Sequence, residues 1–226
     1  MKKKFIIVIA GILVVGGALF FFKQKGFLGG DDESVVLKKI EGNKILLEDY
    51  ANLKKLEGKL ASDPKNEVGY LVSIAFEWKS MGDVSGDQYF YTKAMEIYKK
   101  GIAKYGNTNI PFYWNAGKVS ELMQNYAESE YYYREAIRVA PTDNEAYKNL
   151  ADLYQFKLKK TNDEVLKVYT DGLKATNNEA SLFLNHCSFL RTHDYVKEAI
   201  GCYGVLSTSF PNNAQYKKVL EDLKKK

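Results

Sequence analysis

Hydrophobic residues follow two different patterns along this chain. From Phe5 to Phe22 they are continuous, FIIVIAGILVVGGALFFF, with no charged or strongly polar side chain among the eighteen residues. At about 1.5 Å per residue such a run reaches roughly 27 Å as a helix, close to the ~30 Å hydrocarbon core of a bilayer, so it is expected to span a membrane once. Beyond Asn43 the spacing becomes helical. Leu46, Tyr50, Leu53, Leu56 and Leu60 mark one face of an amphipathic helix from about Asn43 to Ala61, stopped by Asp63 and Pro64. After Asn66 the chain reads as further helices with polar joints, and no strand-like alternation of useful length appears. Between the two regimes, residues 26–34 are Gly-rich and acidic with little to bury, which suits a flexible tether. The expected division is a tail and transmembrane helix at 1–25, a linker at 26–42 and a helical domain at 43–226.

The helical part repeats itself. Phe112-Tyr113-Trp114-Asn115-Ala116-Gly117 lines up with Ala146-Tyr147-Lys148-Asn149-Leu150-Ala151 at an offset of 34, and more loosely with Leu182-Phe183-Leu184-Asn185-His186-Cys187 at a further 36. A second pattern follows each of these helices, a small or apolar residue four before an aromatic: Ala94 and Tyr98, Ser129 and Tyr133, Val165 and Tyr169, Ala199 and Tyr203. The two registers agree if two residues are inserted near Leu158 to Thr161. Residues four apart share a helix face. Gly117 or Ala151 then lets a paired helix approach while Tyr133 or Tyr169 fills the volume beside it.

In these offsets the chain resembles the tetratricopeptide repeat, a helix-turn-helix unit of about 34 residues with bulky and small residues at fixed places and a terminal proline. Pro141 and Pro211 occupy that terminal slot. The resemblance implies an all-α, right-handed solenoid of helix-turn-helix repeats, preceded here by one transmembrane helix. Full units are expected at 67–109, 110–143, 144–179 and 180–213, closed by a helix from Ala214 to Leu223 that turns Tyr216, Val219, Leu220 and Leu223 inward. In the first unit Ile74 is assigned to the small slot, and about eight extra residues around Val84 to Tyr91 lengthen the turn or the second helix.

Charge removes one class of partner. The chain has 33 basic and 28 acidic residues, but Lys2, Lys3, Lys4, Lys23 and Lys25 all precede residue 26, where no acidic residue occurs. Without these five lysines the remainder is neutral, so it lacks an electrostatic footprint for nucleic acid. Lys2 to Lys4 instead set a cytoplasmic N-terminus by the positive-inside bias, with the repeat domain outside the cytoplasm, although Lys23 and Lys25 on the far flank oppose that orientation. A cleaved signal peptide is the competing reading, with Gly16-Gly17-Ala18 as its small residues. Cleavage there would leave an apolar Leu-Phe-Phe-Phe terminus, which favours a retained anchor.

Candidate chemistry is sparse. Only His186 and His193 are present, neither with a nucleophile or carboxylate arrangement of mechanistic meaning, so no enzyme activity is expected. The two histidines and two cysteines lack paired zinc-site spacings, and no metal, cofactor or small-molecule substrate is implied. In the repeat arrangement Cys187 takes the small slot of one helix and Cys202 lies on the next. They are either a disulfide or two buried thiols.

In proteins of this resemblance the first helices of successive units line a concave groove that holds peptides or partner helices. Carried over, the groove positions are Leu71 and Trp78; Trp114, Asn115, Lys118 and Leu122; Lys148, Asn149, Asp152 and Phe156; Leu184, Asn185, Ser188 and Arg191. Asn115, Asn149 and Asn185 recur at one slot and could pair with a peptide main chain. Leu71 and Glu145 stand where a clamp for C-terminal carboxylates needs lysine, which argues against that clamp. The expectation is a membrane-anchored scaffold or adaptor of the cell envelope that binds a protein partner. The alternative is a translocon- or chaperone-associated accessory that receives unfolded client segments.

Overall fold

Asn43 begins a 19-residue amphipathic helix by capping it: its side-chain Oδ1 accepts from the amides of Ile45 and Leu46 at 3.1 and 3.2 Å. The computed structural model describes residues 33–225, all helical apart from turns, in two compact units that divide in sequence after Gly101. The apolar run 5–22 lies outside the described residues. Among those residues no helix is long and apolar enough to cross a membrane.

The first unit contains α1 (Glu33–Ile40), α2 (Lys44–Ser62), a short 3-10 turn (Pro64–Asn66), α3 (Glu67–Ser85) and the greater part of α4 (Gln88–Tyr105). Helix α1 corrects the expected linker, which cannot extend to residue 42. Val36 and Ile40, one turn apart, are buried, the Tyr50 hydroxyl donates to Glu33 at 3.1 Å, and Lys39 pairs with Asp87 at 2.5 Å. The acidic, Gly-rich composition just upstream hid this short apolar edge.

Burial also corrects the register of the first repeat by one residue. Leu71, Ile74, Ala75 and Trp78 are buried, at 0%, 0%, 0% and 4% exposure. They match the buried Tyr113, Ala116, Gly117 and Ser120 at a constant offset of 42, and Tyr147, Leu150, Ala151 and Tyr154 at 34 more. The small slot is therefore Ala75 rather than Ile74. Leu71 and Trp78 move with it from the expected groove into the core, where the Trp78 ring stacks on Phe90 at 6.1 Å and meets Tyr89 edge-on at 6.5 Å. The extra residues lengthen both helices at the hairpin tip. Beyond Trp78, α3 runs five residues further than α5 runs beyond Ser120, and α4 starts three residues earlier before its small residue than α6 does.

The second unit continues with α5 (Pro111–Leu122), α6 (Tyr126–Val139), α7 (Asn144–Asp152) extended by a π-helical segment (Leu153–Leu158), α8 (Asn162–Ala175), α9 (Ala180–Thr192), α10 (Val196–Ser209) and α11 (Ala214–Lys224). These hairpins fall within the sequence-derived bounds, and Pro141 and Pro211 each follow the residue that caps α6 or α10. The packing logic of Gly117 is visible directly. A Cβ placed there would lie 2.5 Å from the Tyr133 ring, so only glycine admits that tyrosine at its observed distance. Tyr133, fully buried, belongs to a core with Tyr147, Leu150, Val165 and Tyr169. A following core joins Cys187, Ala199, Cys202, Tyr203 and Leu206 to Val219 and Leu223 of the closing helix.

The turns explain the two-residue insertion. In the second and fourth repeats the first helix ends in a left-handed residue, Gln124 or Asp194, and the amide of Asn125 or Tyr195 bonds back five residues to Ser120 or Leu190. In the third the equivalent bond spans six residues, from the Lys160 amide to the Tyr154 carbonyl, because the helix has widened to a π turn ending at left-handed Lys159. Thr161 then opens α8 with a capping box to Glu164.

Candidate protein-binding face

The register that buries four positions on the first helices of the first three repeats, and Cys187 and Leu190 on α9, leaves a second set at or near the surface. On α5 this set is Trp114, Asn115, Lys118 and Leu122. Trp114 and Leu122 are half-buried and Lys118 is exposed. The Trp114 ring packs against the third-repeat core, while its Nε1 is enclosed with no acceptor among the described residues. The Asn115 amide donates to the Pro111 carbonyl one turn back at 2.8 Å, so part of its hydrogen-bonding capacity is spent within its own helix. Lys118 lies 3.7 Å from Glu121, which also accepts the Tyr133 hydroxyl at 2.5 Å.

On α7 and its π extension, Lys148 and Asp152 pair at 2.9 Å, and this bond raises the lysine pKa. Asn149 is half-buried. Phe156 is 56% exposed. On α9, Leu184, Asn185 and Ser188 are half-buried and Arg191 is exposed. Arg191 lines a depression with Thr192, Val219, Asp222 and Leu223. On α5 and α7 the lysines of this face are matched by carboxylates of their own helix, whereas Arg191 of α9 makes no ion pair among the described residues.

Residues that the repeat pattern did not single out also belong here. Gln155 brings its side-chain nitrogen within 3.5 Å of His193 Nε2, linking the third repeat to the fourth, and His193 stacks on Phe189 at 4.0 Å. Only the tertiary fold brings Gln155 and His193 together. His186, by contrast, sits inward beside Tyr169 at 5.8 Å, and burial lowers its pKa. Among the described residues no group of three His, Cys, Asp or Glu side chains is placed to hold a metal ion. Cys187 and Cys202 are bonded to each other, with Cα atoms 5.5 Å apart.

No protein family and no curated protein matches the chain by sequence. Solved structures do match by fold. A tetratricopeptide repeat protein from Parabacteroides merdae superposes with a TM-score of 0.55 at 14% identity, over 82% of this chain and 71% of that one. TTC0263, a thermophilic tetratricopeptide repeat protein of Thermus thermophilus, gives 0.54 at 13% identity over 85% and 98%. MamA from Desulfovibrio magneticus, from residue 41 onward, gives 0.52 at 14% over 81% and 98%. Together with the helical register, these likenesses show an all-α tetratricopeptide-type fold.

Proposed function

We propose that this protein is a non-enzymatic adaptor of the cell envelope, held in the membrane by residues 5–22, that binds a protein partner along the exposed faces of its first helices. One observation carries the reading. Trp114 and Leu184 stand at one slot of α5 and α9, each packed against a core yet only half-buried, and Phe156 is 56% exposed, so successive first helices keep apolar area at the surface. An aromatic or aliphatic residue kept at such a position supplies the area from which interface hot spots are built.

The Cys187–Cys202 bond supports a domain outside the cytoplasm, since such bonds persist in oxidising compartments. Anchoring would add to affinity by confining the domain and any membrane-associated partner to one surface.

Crosslinking in native membranes, followed by identification of the attached proteins, tests the adaptor. One or a few partners, lost on replacing Trp114 and Asn149 by Ala in a normally folded protein, is the expected result. Undiminished capture by that variant would move the binding surface elsewhere, and capture of many unfolded chains would favour client reception. Retention in the membrane pellet after carbonate washing, with digestion of the domain by protease added to spheroplasts, tests the anchor and its orientation.

A further inference from the structure

The π turn of the third repeat carries an exposed aromatic ring beside exposed lysines. Phe156 stands at the place of Leu122 in the second repeat, yet Leu122 is half-buried whereas Phe156 is 56% exposed. Lys157 and Lys159 follow it, both exposed, and neither has an ion-pair partner among the described residues. The neighbouring charges are committed. Lys160 pairs with Glu164 at 3.3 Å, Glu164 also caps α8 through Thr161, and Lys148 holds Asp152. Glu130 accepts the Tyr154 hydroxyl at 2.6 Å and pairs with Arg134, which itself donates to the Tyr154 oxygen. Asp163, in the first turn of α8, is the exposed carboxylate that remains nearby. The turn therefore offers one exposed aromatic ring followed by two cations that have no ion-pair partner among the described residues.

We propose that Phe156, Lys157 and Lys159 form a docking point for an acidic segment of the protein partner that also carries an apolar side chain, the ring covering the apolar group and the lysines its carboxylates. The proposal rests on the adaptor reading and gives its partner a chemistry. Charge complementarity selects that chemistry. Elsewhere on the first helices of this unit Lys118 and Lys148 are matched by carboxylates of their own helix, so a basic ligand gains nothing from them and an acidic one gains little. At the π turn the balance tips toward a negative ligand.

The test uses the full chain in nanodiscs of zwitterionic lipid and two fluorescent twelve-residue peptides, one alternating Glu with Phe and Leu, the other with Lys in place of Glu. Anisotropy should show binding of the acidic peptide in preference to the basic one, weakening as salt rises. Phe156→Ala, or Lys157→Glu with Lys159→Glu, should each reduce it about tenfold. Hydrogen exchange should show protection of residues 153–160 on adding the acidic peptide, with unchanged protection elsewhere in each variant. If the acidic peptide binds equally to the turn variants but loses affinity on Trp114→Ala, the adaptor face stands and the docking point is overturned. The same holds if the basic peptide binds as well as the acidic one. If residues 153–160 are instead protected in parallel discs that contain anionic lipid, and not by peptide, the turn meets membrane and the docking point is overturned. Absence of binding by either peptide also counts against the docking point, while partner capture in membranes reports separately on the adaptor.

Discussion

The first-repeat hairpin, α3 with α4, is held by length and aromatic area, whereas the fourth, α9 with α10, is shorter and tied by a covalent bond. The first has 19 and 18 residues in its helices and the fourth 13 and 14. Trp78, Phe90, Tyr91 and Tyr98 fill the first, and its tip is closed by the Tyr91 hydroxyl donating to Asp83 at 3.0 Å. In the fourth, the small slot that is Ala75 in the first is Cys187, bonded to Cys202. Helix α10 also carries Gly201, where an added Cβ would meet nothing within 4 Å, so no packing demand explains that glycine. A glycine inside a helix weakens it by about 1 kcal/mol relative to alanine. One hairpin is stable through its local sequence and burial, while the other combines a weaker helix with a crosslink that offsets the weakness.

The sharpest way to break this comparison is to remove the aromatic weight of the first hairpin. Trp78→Ala deletes a ring at 4% exposure and should destabilise the protein by about 3–5 kcal/mol, whereas Phe76→Ala, at 56% exposure two residues away, should change stability by less than about 0.5 kcal/mol. Urea unfolding followed by circular dichroism measures both. Equal effects would mean that Trp78 is not the core residue its burial indicates.

Opening the disulfide comes next. The bond closes a loop with a sequence separation of 15, for which the chain-entropy estimate is about 3 kcal/mol. Cys187→Ala with Cys202→Ala, or reduction of the native protein, should lower stability by about that amount. The loss should fall on residues 180–224 in hydrogen exchange and leave residues 67–100 protected as before. A uniform loss across both regions would show that the bond supports more than its own hairpin.

Gly201→Ala should act in the opposite direction, stabilising α10 by about 0.5–1 kcal/mol, since its neighbourhood is open and alanine favours the helix. The gain should be present in both oxidised and reduced protein. Destabilisation would mean that something passes close to that position in solution.

How far the chain could be read in advance follows the same contrast. The later repeats were legible because Gly117, Ala151 and Cys187 stand out as small residues in an otherwise bulky register. In the first repeat Ile74 and Ala75 are adjacent, and a tryptophan resembles a ligand contact as readily as a core residue, so periodicity alone gives a register one residue off, with Trp78 in the groove, and only burial assigns Trp78 to the core. The insertion near Leu158 was visible as a mismatch of offsets, but whether a helix or a loop would absorb it depends on packing that periodicity does not encode. Helix α1 was missed because eight residues give too little pattern against an acidic, Gly-rich background. Within the candidate face, Lys118 and Lys148 were identified by register, whereas their pairing with Glu121 and Asp152, which decides what charge remains for a ligand, needed the fold.

The smallest effect concerns how the fourth hairpin begins. Glu179 is the N-cap of α9, although glutamate is not among the residues usually favoured there. Its Oε2 accepts from the Leu182 and Ser181 amides at 2.9 Å each, from the Ser181 hydroxyl at 2.8 Å and from Asn144 Nδ2 at 2.9 Å. The Leu182 amide bond leads in holding the carboxyl down to about 2 from an ordinary 4.5; burial, next in size, opposes it, and the Ser181 and Asn144 bonds add to the lowering. A depressed carboxylate pKa means that the folded state binds the proton less tightly than the unfolded one. Its stabilisation is therefore present above about pH 4.5 and is lost as pH falls through about 2. Glu179→Gln keeps an acceptor oxygen but removes the charge facing the helix N-terminus, so at pH 7 it should lower stability by only about 0.5 kcal/mol. The gap between wild type and variant should close between pH 4.5 and 2. The first hairpin supplies the internal control, because Asn66 at the start of α3 makes no side-chain capping bond and should confer no matching pH dependence. If wild type and E179Q lose stability in parallel down to pH 2, the carboxylate is not what starts α9, and the contrast between the two hairpins rests on the disulfide and the aromatic core alone.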